Sequence, residues 1–315
     1  MVRPHNMLTH KQKRNLPLHL MIIPGALVIL IFSYGPMMGL VMVFQKFSAG
    51  KGFFRSPFVG LENFRYVFSY PGIWQVLSNT LLISSLKIIG SIVFPVLVAL
   101  LLNELSGRRF KRVVQTAIYF PHFLSWIILG GLMIDILSPS EGLINGIIGA
   151  VGGTPVYFLG DKNWFPYTMV ITELWKEVGY GTIVYMAALT AIDPTLYEAA
   201  AIDGAGHWKQ MRHVTLPSLM PTILLMAMLS LGAILNAGGT LSAAGSSGFE
   251  QIFNLYSPQV YETGDVLDTL VFRLGLGGTK YSVAATIGFL KSIVSGTMMV
   301  LGYWIAKKVA HYEII

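Results

Sequence analysis

The chain alternates between long apolar runs and short polar connections. Six runs approach or exceed the roughly twenty residues that a helix needs to cross a ~30 Å hydrocarbon core. They cover about 17–43, 73–102, 114–137, 166–192, 218–236 and 282–306. A helix is the expected form of each, because it satisfies its own backbone polar groups where no water can. The pattern predicts an all-α membrane protein of about six transmembrane helices. It has a tail over 1–16, a transmembrane domain over 17–306 and a second tail over 307–315.

Composition strengthens this picture. Of the 315 residues, 54% are hydrophobic and only 12% charged, about half the charge of an ordinary soluble domain. The net charge of +7 sits in the short loops, where membrane topology explains it better than nucleic-acid binding does. With the N-terminus inside, the segments 1–16, 103–113, 193–217 and 307–315 hold twelve Lys and Arg, against seven in the outer loops. Both termini are therefore expected in the cytoplasm. The first apolar run is too long for the core of a signal peptide, so it reads as a retained helix.

Several chemistries are excluded. There are no cysteines, hence no disulfide, thiol nucleophile or Cys-based metal site. The stretch GLGLGGTKY has its lysine and hydroxyl in the wrong order for a phosphate-binding loop. The seven histidines contain no H-E-x-x-H pair, and no catalytic or metal-binding set emerges. GPMMG, Gly35 to Gly39, fits a G-x-x-x-G helix contact, a common pattern in apolar spans. The Gly/Ser/Ala stretch Gly238 to Gly248 has the composition of a flexible linker.

Between the fourth and fifth runs lies EAAAIDGAGHWKQMRHVTLP, Glu198 to Pro217, too polar for lipid. Asp193-Pro194 offers a helix start, with Asp as N-cap. Thr195-Leu196-Tyr197-Glu198 offers a competing capping box. Ala199 to Ala201 propagate a helix, and Gly204 and Gly206 stop it. Trp208, Met211 and Val214 then form a second amphipathic turn, and Pro217 opens the next span. Residue chemistry leaves two readings open: an interfacial helix-turn-helix anchored by Trp208, or a docking surface whose small face admits another protein.

The spacing Glu198-Ala199-Ala200, three residues, Gly204, nine residues, Val214-Thr215-Leu216-Pro217 resembles the EAA loop of binding-protein-dependent ABC importer permeases, E-A-A-x3-G-x9-I-x-L-P. Val214 replaces the isoleucine. SYGPMMGLVMVFQKFS, FVGLENFRYVF, ALLLNEL, YFPHFLSWII and FEQIFNLYSPQVYETGDVLDTLVFRLGL are similar to the carbohydrate branch, especially the permeases for complex oligosaccharides and polysaccharide fragments. Relative to that branch, ten residues, Gly239 to Gly248, are inserted. The resemblance implies that Phe249 to Tyr256 continue the fifth membrane helix.

It also implies a machine. A second permease subunit, a different chain, completes the pathway. Two ATPase subunits carry ATP and magnesium, so this chain holds no cofactor and is not an enzyme. An external binding protein delivers an oligosaccharide, and the site is the bacterial cytoplasmic membrane. The loop 193–217 becomes a coupling helix seated on an ATPase, with Glu198, Ala199, Ala200, Asp203, Gly204, Trp208, Leu216 and Pro217 as its docking set.

For the transport path, charged groups within spans are the guide. TELWKEVGYG places Glu173, Lys176 and Glu177 within one helical turn. They can pair along the helix and face the partner subunit, or offer sugar hydroxyls a polar face beside the flat rings of Trp175 and Tyr180. Lys87 and Lys291 either snorkel or pair in the bundle. Asn236, Gln251 and Asn254 are further candidates, since an amide both donates and accepts. An ion-driven transporter using Glu173, Lys176 and Glu177, or a scaffold without transport, are the rival readings.

Overall fold

The computed structural model describes residues 10–236 and 247–310. The predicted tails up to residue 9 and from 311 lie outside the described residues, as does 237–246, most of the linker-like insertion. The described chain is helical almost throughout, apart from one isolated bridge between Gln45 and Phe58.

The first helix runs from His10, and its apolar part is α1, Leu20–Phe44. A short helix, α2 (Glu62–Ser69), leads to the long span α3, Ile73–Glu104. Then come α4 (Arg108–Phe123) and α5 (Trp126–Ile136), which meet at a bend of 105°. The short α6 (Leu143–Ala150) precedes α7, Phe165–Thr190. Helix α8 (Pro194–Ile202) is followed by α9, His207–Gly232. After the undescribed segment come α10 (Ser247–Leu255), α11 (Leu267–Phe272) and α12 (Tyr281–Ala310).

Among the described residues, α1, α3, α9 and the Tyr281–Trp304 part of α12 are long and apolar enough to cross a membrane, and α4 with α5 adds a fifth crossing if the bent pair is one span. The predicted third span, 114–137, falls on this bent pair. Pro121 sits where the chain tightens into a 3-10 turn, and Ser125 caps a new helix by accepting from the Ile128 amide. Helix α7 is 26 residues long but carries Glu173, Lys176 and Glu177 in its middle.

Prolines shape two of the spans. A π-turn, Leu30–Tyr34, lies just before Pro36, and another, Met211–Thr215, just before Pro217. A proline inside a helix lacks the donor N–H and crowds the carbonyl four residues earlier. A wider turn relieves that crowding without ending the helix. Pro217 thus does not open the fifth span, as the sequence pattern predicts. The helix is continuous from His207, and the expected second amphipathic turn is its first stretch.

Helices α3 and α7 form the most extensive pair, and glycines let them approach. A Cβ on Gly90 would lie 2.5 Å from the Leu174 side chain, and one on Gly181 would lie 3.1 Å from Pro95. Small residues play this part where lipid supplies no hydrophobic drive between helices. One core cluster gathers Ile83, Trp126, Met169, Ile252 and Val266, so α10 is packed inside the bundle against α5 and α7. Residues Phe249 to Leu255 form a helix of their own there, with Tyr256 just beyond it, rather than the end of α9. Outward-facing side chains such as Ile89, Leu101, Ile127 and Ile171 are exposed, as lipid contact requires.

Candidate functional site

The charges of α7 separate into two buried clusters. In the first, Glu173 Oε2 lies 3.8 Å from Lys87 Nζ on α3, and neither side chain has any exposed surface. Gln251 of α10 completes it. Its Oε1 accepts from Lys87, while its Nε2 donates to the Met169 carbonyl at 2.8 Å and to Thr172 Oγ1 at 2.7 Å. Thr172 donates onward to the Thr168 carbonyl. An ammonium at this depth is tolerable only with such partners.

In the second cluster, Lys176 donates to Glu177 Oε1 at 2.8 Å and to the His122 carbonyl at 3.0 Å. Glu177 Oε2 meets His122 Nδ1 at 2.7 Å, and the imidazole stacks on the Tyr180 ring with centroids 3.9 Å apart. Glu173 thus turns to Lys87 on α3, a partner that pairing along the helix, one of the two readings of the sequence, did not include. Lys176 turns toward α4, where Pro121 tightens the chain and presents His122. Lys87 does not snorkel, and neither does Lys291, whose ammonium pairs with Asp268.

Beside the second cluster opens a pocket of about 220 Å³ between α3, α7 and α9. Ser91, Glu177, Tyr180, Tyr185 and Ser230 supply its polar lining, with Leu174, Val184 and Met226 among its apolar walls. The Tyr185 hydroxyl is buried and lacks a hydrogen-bond partner among the described residues. Trp175 is not in this group: it does not line the pocket and is 45% exposed. A second, more open cavity of about 630 Å³ is lined by Asn236, Phe249, Phe272, Asp268 and Lys291. Asn254 is half-buried, with its amide donating to the Glu250 carbonyl of its own helix. His122 was not anticipated from the sequence. Its signal was a lone titratable residue beside a proline in an apolar run.

The loop between α7 and α9 has a simple construction. Asp193 caps α8, accepting from the Thr195 amide at 2.9 Å, which also holds its carboxyl below the usual carboxylate range. The Asp start thus prevails over the T-x-x-E alternative. Glu198 is exposed and makes no side-chain hydrogen bond among the described residues. Gly204, at φ +73°, turns the chain. Tyr197 and Thr215 hydroxyls meet at 3.0 Å, and Gln210 donates to the Ala205 carbonyl, so α8 is strapped to the start of α9. Ala199, Asp203 and Pro217 are exposed, Ala200 is half-buried, and Leu216 is partly exposed. Ile202 is 88% and Trp208 73% exposed, which leaves a small-residue helix flanked by two large apolar side chains. No group of three or more metal-ligating side chains occurs among the described residues.

Residues 91–311 match the family described as binding-protein-dependent transport system inner membrane component. Protein LplB of Bacillus subtilis (strain 168) is 38% identical over 297 residues, covering 94% of this chain and 90% of that protein. The polygalacturonan/rhamnogalacturonan transport system permease protein YteP of the same organism is 38% identical over 291 residues, covering 92% and 88%. A chain in the crystal structure of a bacterial ABC transporter involved in the import of the acidic polysaccharide alginate superposes with a TM-score of 0.84 at 35% identity, covering 94% of this chain and 97% of that one. That transporter in complex with an alginate pentasaccharide-bound periplasmic protein gives the same TM-score at 34% identity. The chain belongs to the family of binding-protein-dependent transport system inner membrane components, as an ABC transporter permease that passes several times through the inner membrane.

Proposed function

We propose that this permease forms one half of an alternating-access pathway for an oligosaccharide delivered by an extracytoplasmic binding protein. A second, different permease chain forms the other half. One of two ATPase subunits docks on the loop 193–217 from the cytoplasm, where both termini also lie, and the pair supplies the ATP chemistry. The oligosaccharide class draws on the polysaccharide-related substrates named for YteP and the alginate transporter. The observation that carries the coupling role is the exposed α8 with its E-A-A-x3-G spacing, joined by one glycine turn to a helix that runs unbroken into a span. ATP-driven closure of the ATPases would move this helix and rock the bundle as a body.

The pocket beside Glu177 and Tyr180 is the part of the pathway we assign to sugar. Glu177 accepts from hydroxyls, Ser91 and Ser230 donate or accept, Tyr185 has an unused hydroxyl, and the Tyr180 ring gives a flat apolar face. Such a mixture suits a ring with polar edges and apolar faces. Trp175, Asn254 and Asn236 stand apart from it.

The docking role is tested with Trp208→Ala and Gly204→Asp in the assembled transporter. A Cβ on Gly204 meets no atom within 4 Å, and although the φ of +73° strains any residue with a side chain, aspartate is among those that adopt it most readily. Loss of an aromatic anchor of this kind costs about 2 kcal/mol, a drop of about thirtyfold in docking affinity. Both variants are expected to insert and purify as the parent does while uptake falls and ATP hydrolysis no longer responds to the loaded binding protein. Unimpaired uptake in both would overturn the docking role.

A further inference from the structure

Helix α4 begins RRFKR, and its four cations, Arg108, Arg109, Lys111 and Arg112, have no acidic residue beside them in the helix. Among the described residues none of the four makes an ion pair or a side-chain hydrogen bond, whereas the buried Lys87, Lys176 and Lys291 all do. Arg108, Arg109 and Arg112 are exposed, and Lys111 is half-buried. Two large apolar side chains are interleaved with them: Phe110 is 61% and Val113 67% exposed.

The depth of this cluster follows from packing. Lys111, Val114, Gln115, Ile118 and Tyr119 form the half-buried face of α4, and the helix lies along α7 on that side. A Cβ on Gly179, near the middle of α7, would sit 1.9 Å from the Ile118 carbonyl oxygen. Ile118 therefore lies beside the midpoint of α7, which the predicted fourth span, 166–192, puts near the bilayer centre. From there to Arg108 is about 15 Å at 1.5 Å per residue, half of a ~30 Å hydrocarbon core. The cations reach the headgroup plane, and Phe110 and Val113 reach the edge of the acyl chains.

We infer that this end of α4 is a binding site for anionic phospholipid headgroups. Four clustered cations attract phosphodiester groups by charge, whether Arg or Lys carries it. Phe110 and Val113 take the neighbouring acyl chains, as in basic amphipathic surfaces on membranes. A soluble acidic partner would match the charges but would leave those two side chains in water.

The test is lipid analysis of the assembled transporter extracted with its surrounding bilayer from a membrane containing phosphatidylglycerol and phosphatidylethanolamine. The parent protein is expected to carry phosphatidylglycerol enriched over the bulk membrane. Replacing all four cations by glutamine should return the ratio to the bulk value, with up to about a fivefold loss per cation. Replacing the three arginines by lysine should retain most of the enrichment. The inference fails if the parent carries the bulk ratio, if the glutamine variant stays enriched, or if the lysine variant loses the lipid. It fails equally if the glutamine variant sheds ATPase subunits while keeping its lipid, since the surface would then belong to a protein partner.

Discussion

Glu173→Leu should be the most damaging single change to stability in this chain. The substitution leaves Lys87 with no exposed surface and removes the carboxylate 3.8 Å from its ammonium. Breaking a buried pair from one side costs about 3–5 kcal/mol, because the surviving charge has no water to turn to. Gln251 remains, but a neutral amide answers an ammonium less well than a carboxylate. The double variant Lys87→Met/Glu173→Leu removes both charges, and replacing a buried pair by apolar residues is often close to neutral. The double variant is therefore expected to be more stable than Glu173→Leu alone. Heating the detergent-extracted protein and measuring the fraction that remains monodisperse gives the order. A single variant as robust as the parent would show that the pair contributes little.

The second large effect is expected at Gly179. An added Cβ would lie 1.9 Å from the Ile118 oxygen, 2.5 Å from its carbonyl carbon and 3.0 Å from the Tyr119 nitrogen. All three are backbone atoms of α4, so no side chain can swing aside. Overpacking typically costs 1–3 kcal/mol and occasionally more, and here the two helices must separate. Separation would also pull His122 from Glu177 and Tyr180 and so deform the pocket. Gly179→Ala is expected to lower both the folded yield and uptake in the protein that does fold. Gly90→Ala provides the contrast, because its close neighbours are the flexible Leu174 side-chain carbons and a rotamer change can relieve the contact. Equal behaviour of the two variants would refute the backbone-contact explanation.

Local chemistry made much of the loop between α7 and α9 legible. Asp193-Pro194 starts a helix wherever it is exposed, and Gly204 turns a chain wherever φ must be positive. The apolar runs likewise marked where most spans lie, since their length is set by the bilayer. Partner choice was not legible. Gln251 lies 164 residues from Lys87 and 79 from Thr172, and no local rule joins them. Spacing along α7 suggested pairing of Glu173 with Lys176 or Glu177, but a helix surface does not reveal what faces it. The bend between α4 and α5 had a signal in Pro121 and Ser125, masked by the apolar residues around them. The proline rule misled at Pro217, where a π-turn lets the helix continue.

That continuity has a mechanical consequence. At 26 residues, α9 is a rod of roughly 39 Å, with Trp208 near one tip and Gly232 at the other. A helix that continues through the π-turn at Met211–Thr215 carries thrust toward its far end, but it cannot amplify it. Whatever travel the pathway requires must be supplied in full where Trp208 is pushed. Its bearing is α12, where Gly302 faces Leu231 and Gly232 faces Met299 across gaps set by glycine. There the Leu231 and Met299 side chains sit over glycines of the facing helix, so the bearing rather than the rod is where friction would be adjusted.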